Sequence, residues 1–182
     1  QTYNGESLSR NEGYVSQGTL VTDHKCSYTD NFATITDVGV CENRVRIEIL
    51  DENDNSVTRN YDISYHYGTL EVTKRPLLVE TKGFSRTYDG QPLEWHEIEE
   101  VNDLVDGHYV EVTYKTSLTN VGEVNNEATA RVWVGEDENK KEVTRNYDIS
   151  YQYGTLEVTK RPITFTTYGD YQTYNGESLS RN

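Results

Sequence analysis

Residues 57–76 read VTRNYDISYHYGTLEVTKRP, and residues 143–162 read the same with Gln152 in place of His66. The copy stands 86 positions on (57 to 143), so the chain is a repeat array before it is anything else. The ends extend the pattern. QTYNGESLSRN occurs at residues 1–11 and again, letter for letter, at 172–182, with a related TYDGQPL at 87–93. A block of two units repeating head to tail accounts for all three; a separately duplicated end segment is the alternative.

Each unit has about 85 residues, enough for a small domain that buries about 60% of its unfolded surface. Two modest cores are expected. A formal charge of -14 argues against nucleic acid as a partner, since phosphate binding needs clustered Lys and Arg. No stretch approaches the ~20 apolar residues of a membrane span, so no membrane contact is expected within this segment. Tyr contributes 15 residues against 3 Phe and no Met. Tyr, Thr and Val favour strands, and Gly, Asn and Asp clusters cut the chain into short pieces.

Within a unit, the shared block reads as a hairpin turning at Tyr67–Gly68. Tyr65 then falls opposite Leu70 and Ile63 opposite Val72, apolar against apolar. Tyr67 fits a tight turn poorly, which calls for a longer loop. Val45, Ile47 and Ile49 alternate with polar neighbours, as do Ala128, Ala130 and Val132, each marking a strand with one wet face. Acidic loops follow at 51–56 (DENDNS) and 135–141 (GEDENKK). Asn60-Tyr61 and Asn146-Tyr147, just after a turn and at the start of the expected penultimate strand, suit a lock resembling a tyrosine corner.

Lys-Arg-Pro closes each unit at 74–76 and 160–162, and a proline belongs at a strand start or a boundary. The expected division is residues 1–76, a repeat domain lacking its first strand; 77–162, a complete repeat domain; and 163–182, the start of the next repeat. Residues 77–81 and 163–167 are expected to be first strands, and the first unit to expose an unpaired sheet edge. Short strands with turn signals about every 8–12 residues predict an all-β chain of tandem small β-sandwich, immunoglobulin-like domains.

Thr87-Tyr88-Asp89-Gly90, Asn120-Val121-Gly122, residues 143–149 (VTRNYDI) and residues 154–162 (GTLEVTKRP) together resemble the YDG and MBG type tandem repeats of bacterial surface and adhesin-like proteins. The resemblance covers nearly the whole chain. The other unit departs in Asn4 for Asp89 and in Asp37-Val38-Gly39 for Asn-Val-Gly. It implies an extracellular, β-rich stalk module with no catalytic residue to carry over.

Aligning His24 with His108 sets Cys26 on Val110, and aligning the Val-Gly pairs sets Cys41 on Val124. A disulfide between Cys26 and Cys41 is expected if the two valines touch; it would close a ~15-residue loop worth about 3 kcal/mol. Two free thiols are the alternative, and zinc lacks its usual ligand spacing. Asp51, Asn53 and Asn55 open like a calcium loop, but Ser56 stands where glycine is needed and no Glu follows at the twelfth position. A plain acidic loop, with no metal and no cofactor, is the simpler reading. Glu94, Glu97, Glu99 and Glu100 suggest a glycosidase pair only weakly, and no acid-base grouping recurs in both units, so no enzyme is expected.

Leu50 and Trp133 point to the nominally wet face in both copies and mark a possible contact surface for an adjoining domain or a neighbouring fibre chain. The expected function is a structural stalk or fibre-forming repeat of a secreted or cell-surface bacterial protein that supports adhesion. Its partners are adjacent repeats of the same chain. The alternative is an adhesin module binding host glycan or protein through Tyr and Trp.

Overall fold

The computed structural model describes residues 1–179; the last three residues of the second QTYNGESLSRN copy, 180–182, lie outside the described residues. The described chain is all-β, built from several small sheets, with three single-turn 3-10 helices and no α-helix. The first copy supplies β1 (Leu8–Ser9), β2 (Lys25–Tyr28), β3 (Thr34–Ile35), β4 (Gly39–Glu42), β5 (Ile47–Leu50) and β6 (Thr69–Val72). The second supplies β7 (Arg75–Thr81), β8 (Phe84–Thr87), β9 (Ile98–Asn102), β10 (His108–Tyr114), β11 (Gly122–Asn125), β12 (Ala128–Val134), β13 (Lys141–Glu142), β14 (Tyr147–Gln152) and β15 (Thr155–Thr159).

The strand alternation read from sequence holds in β12, where Ala128, Ala130 and Val132 are buried and Thr129 and Arg131 exposed. β10 pairs antiparallel with β12, and β2 with β5 in the first copy. β11 pairs antiparallel with β15, as β4 does with β6.

The expected hairpin does not form. β14 pairs with β7, in parallel, while β15 pairs with β11 and, in parallel, with β8. Tyr153 and Gly154 therefore carry the chain from one sheet to another. Period-two alternation specifies which side chains face inward; it is silent on which strand receives the hydrogen bonds. The β7–β8 connection crosses beside this one. Gly154 N–H donates to the Thr81 carbonyl at 2.9 Å, and a Cβ on Gly154 would strike the backbone nitrogen of Gly83. A Cβ on Gly83 would lie 2.7 Å from the Thr155 carbonyl oxygen. Both glycines are required by this backbone-to-backbone contact.

The first copy differs at the same place. Among the described residues, nothing ladders with residues 61–66, the counterpart of β14, and a Cβ on Gly68 would meet only open space. Residues 163–167, expected as a strand, form none and are exposed. A strand needs a ladder partner, and no β14-like edge lies beside them.

The apolar interior also departs from two separate cores. One cluster joins Leu77, Val79, Ala130, Val132, Val143 and Tyr147 of the second copy to Tyr3 and Val72 of the first. A smaller one gathers Leu93, Leu156 and Val158 under Trp95, Leu118 and Val124. The larger cluster crosses the junction because the first copy presents buried Tyr3 to the second.

Candidate functional site

The same polar lock recurs in both copies. The His108 Nδ1 and Tyr147 hydroxyl lie 2.7 Å apart, as do His24 Nδ1 and the Tyr61 hydroxyl. The two hydroxyls also accept the N–H of Val105 (3.3 Å) and Val21 (3.1 Å). The tyrosine lock thus exists, but its tether runs about forty residues upstream instead of to a nearby turn. Burial holds His108 below the ordinary histidine value and raises Tyr147 above the ordinary phenol value, so both are neutral near pH 7.

Beside each lock, a threonine hydroxyl accepts a strand N–H: Thr144 from Val132 and Thr58 from Ile49, both at 2.9 Å. A second tyrosine rung repeats as well, Tyr151 accepting from Ala130 N–H and Tyr65 from Ile47 N–H. These bonds satisfy strand donors that have no ladder partner on that side.

The two copies meet where the second lock faces the first copy. Tyr3 donates its N–H to the Thr73 carbonyl and sets its ring against His108 (5.9 Å) and edge-on to Tyr147 (5.6 Å). Asn146, fully buried, accepts the Val38 N–H at 2.9 Å and donates its amide to Asp37 at 2.8 Å. Arg145 donates to the other Asp37 oxygen at 2.6 Å, with Lys141 at 3.5 Å. The Asn146 bond outweighs the cost of burying Asp37 and, with both cations, holds its carboxyl below the usual range. The Asp-Val-Gly segment of one copy is thus a socket for the asparagine of the next.

The remaining sequence candidates fall apart from this junction. Cys26 and Cys41 are both free, and the expected disulfide is absent. Cys26 pairs with Ile49 in one sheet and Cys41 with Leu70 in another. Their counterparts Val110 and Val124 pack on different apolar clusters, so the premise that the valines touch fails. Trp133 is half-buried beside Tyr109, with the Lys140 ammonium 4.1 Å over its ring. Leu50, half-buried, pairs with Lys25. Asp51 accepts the N–H groups of Asn53 and Asn55 at 2.9 Å; the Asn55 bond is the main reason its carboxyl lies below the usual range. Lys25 pairs with Asp54 in the same loop. Glu97 pairs with Lys82, and Glu94 lies 3.9 Å from His96. Among the described residues, no group of three or more His, Cys, Asp or Glu converges on a metal site.

Sequence reading missed His24 and His108 as lock partners and Asp37 with Asn146 as the junction. One signal was present: a histidine precedes the Asn-Tyr tyrosine at nearly the same distance in both units. No family model matches this chain, nor does any curated protein or solved structure.

Proposed function

We propose that this chain is a non-catalytic structural repeat: tandem β-sandwich, immunoglobulin-like modules of the YDG/MBG kind that space out an extracellular bacterial surface protein and support adhesion. The single observation that carries the reading is the junction. Consecutive copies are joined by a buried Asn146–Asp37 hydrogen bond and by Tyr3 packed on His108 and Tyr147. Such a contact favours one fixed angle between units over a flexible hinge, as a stalk requires. Net charge of -14 keeps neighbouring stalks soluble and apart. Small-angle scattering of the chain and of a two-block concatemer tests this. The expected result is a maximum dimension that doubles with the number of blocks; a compact concatemer refutes the stalk.

A second reading, recognition of host glycan, draws on Phe84 stacked on Trp95 at 4.0 Å, an aromatic pair at the surface of the second copy. Arg10 takes the place of Trp95 in the first copy, which favours a local feature over a repeated binding function. Binding on a glycan array, lost in Trp95→Ala, supports this second reading.

A further inference from the structure

The outer face of the β10–β12–β13 sheet carries a cluster that neither the junction nor the Phe84–Trp95 pair uses. Tyr109 on β10 stands directly opposite Trp133 on β12, and Glu142 on β13 flanks Trp133 on its other side. Glu111, two residues along β10 from Tyr109, falls on the same face. The loop between β12 and β13 reaches back over this face with one side chain. The Lys140 ammonium sits 4.1 Å from the centre of the Trp133 ring, 5.4 Å from that of Tyr109 and 3.7 Å from the Glu111 carboxylate. Two aromatic rings and a carboxylate thus make a three-sided cation site, filled by the chain's own lysine.

The first copy ties down the same loop by the opposite arrangement. Lys25 and Leu50 are the counterparts of Tyr109 and Trp133, and there the strand supplies the cation: Lys25 pairs with Asp54 of the 51–56 loop. A plain ion pair therefore suffices to close this loop. The aromatic pair is an addition confined to the second copy.

Lys140 is held lightly. Its side chain is 31% exposed and that of Glu111 56%, so water screens the ion pair. The closed arrangement also leaves the indole Nε1 of Trp133 buried, donating to no acceptor among the described residues, which disfavours closure. The loop turns on Gly135, at φ 81°, and on Asp137, at φ 47°, an angle that few residues other than glycine adopt.

With Lys140 swung out, the face offers two rings and an indole N–H in want of an acceptor. Glu111 and Glu142 then outweigh Arg131, so the charge there is negative. A ligand that replaces the lysine in full brings an aliphatic face for the rings, an oxygen for the indole N–H and an ammonium for Glu111. The Lys140 stem and ammonium stand in for the first and the last. A pyranose ring bearing a protonated amine supplies all three: C–H bonds on one face, ring hydroxyls, and the ammonium. A lysine side chain of another protein lacks the oxygen, and a neutral sugar lacks the charge.

We propose that Trp133, Tyr109 and Glu111 form a binding site for a protonated amino sugar, and that Lys140 is the latch which this ligand displaces. The site is separate from the Phe84–Trp95 pair and stands whether or not the chain is a stalk.

The test is the indole N–H resonance of Trp133 in the 182-residue chain, told apart from that of Trp95 by a Trp95→Phe variant. Three probes are titrated: a short glucosamine oligomer, its N-acetylated counterpart and oligolysine. The glucosamine oligomer is expected to shift the Trp133 resonance and saturate, with the N-acetylated form about tenfold weaker, the joint worth of a cation–π contact and an exposed ion pair. Lys140→Ala removes the latch and is expected to bind the glucosamine oligomer about five-fold tighter. Trp133→Leu carries the residue that the first copy has at this place, so it folds, and it is expected to lose binding when followed by calorimetry. Glu111→Gln, at an exposed position, is expected to erase the preference for the free amine over the N-acetyl form. No saturable shift at Trp133, or equal binding of the N-acetylated form, overturns the site. Oligolysine binding as tightly as the glucosamine oligomer overturns the sugar assignment, and a Lys140→Ala variant that binds no tighter than the parent overturns the latch.

Discussion

The buried amide of Asn146 and the carboxylate of Asp37 belong to different copies of the repeat, yet they meet at 2.8 Å and close the contact between them. Asn60, the counterpart of Asn146, is exposed. Asn146→Ala strips partners from Asp37 and from the Val38 N–H together, at a cost of roughly 1.5–3 kcal/mol for a hydrogen bond to a charged group. Asn60→Ala is expected to change stability by less than about 0.5 kcal/mol. A double-mutant cycle with Asp37→Ala, read from urea denaturation, should give a coupling energy well above zero.

Tyr147→Phe leaves the Val105 N–H and the half-buried His108 without the phenol oxygen. The expected loss is about 1–3 kcal/mol. Tyr61→Phe removes the same two bonds from a less buried ring, so its cost should be smaller. Denaturant midpoints of the two variants, measured side by side, decide the order.

Acidification weakens the fold in two stages. Burial depresses His108 in the folded state, so the unfolded chain binds more protons between the lowered value and the ordinary 6.5. This contribution is fully present above about pH 6.5 and is lost as pH falls through the lower folded value. The rings facing His108 are those of Tyr3 and Tyr147, and Glu6, Arg75 and Asp106 line the same groove. Asp37, held low chiefly by Asn146, acts with the same sign further down: its contribution is present above its ordinary 3.8 and lost as pH drops through the depressed value. Stability measured from about pH 7 to about pH 5 should fall, and His108→Gln should flatten that slope.

Gly154→Ala places a methyl group into the backbone of Gly83 and is expected to cost more than about 3 kcal/mol. Gly68→Ala, at the equivalent position, meets open space and should be near neutral in dilute solution. Thermal melts of the two variants separate them directly.

Cys26 is exposed and Cys41 half-exposed, both as thiols. Alkylation without reductant should add two labels, Cys26 reacting first. Mass spectrometry that finds no label without reductant contradicts this arrangement.

The sequence was informative where the physics is local. Ala128, Ala130 and Val132 announced a half-buried strand by alternation alone, and the proline at 76 placed the strand that follows the repeat's end. Pairing was not legible, because Ile149 and Leu156 show the same alternation whether their strands bond each other or two different neighbours. The junction was hidden for a related reason. Asn146 reads as a turn residue and Asp37 as a surface charge, and only the packing of one copy on the next makes them partners. The cysteine expectation failed at its single untested premise, that Val110 and Val124 share one core.

Only Thr73 and Lys74 separate β6 from β7, and β7 and β15, the first and last strands of the second copy, each run parallel to a partner. Tension drawn through Arg75 and Thr159 therefore acts along those ladders, loading their evenly spaced bonds together instead of peeling them one by one. A chain joined in this way would resist pulling with a peak force set by whole ladders, and would yield one copy at a time.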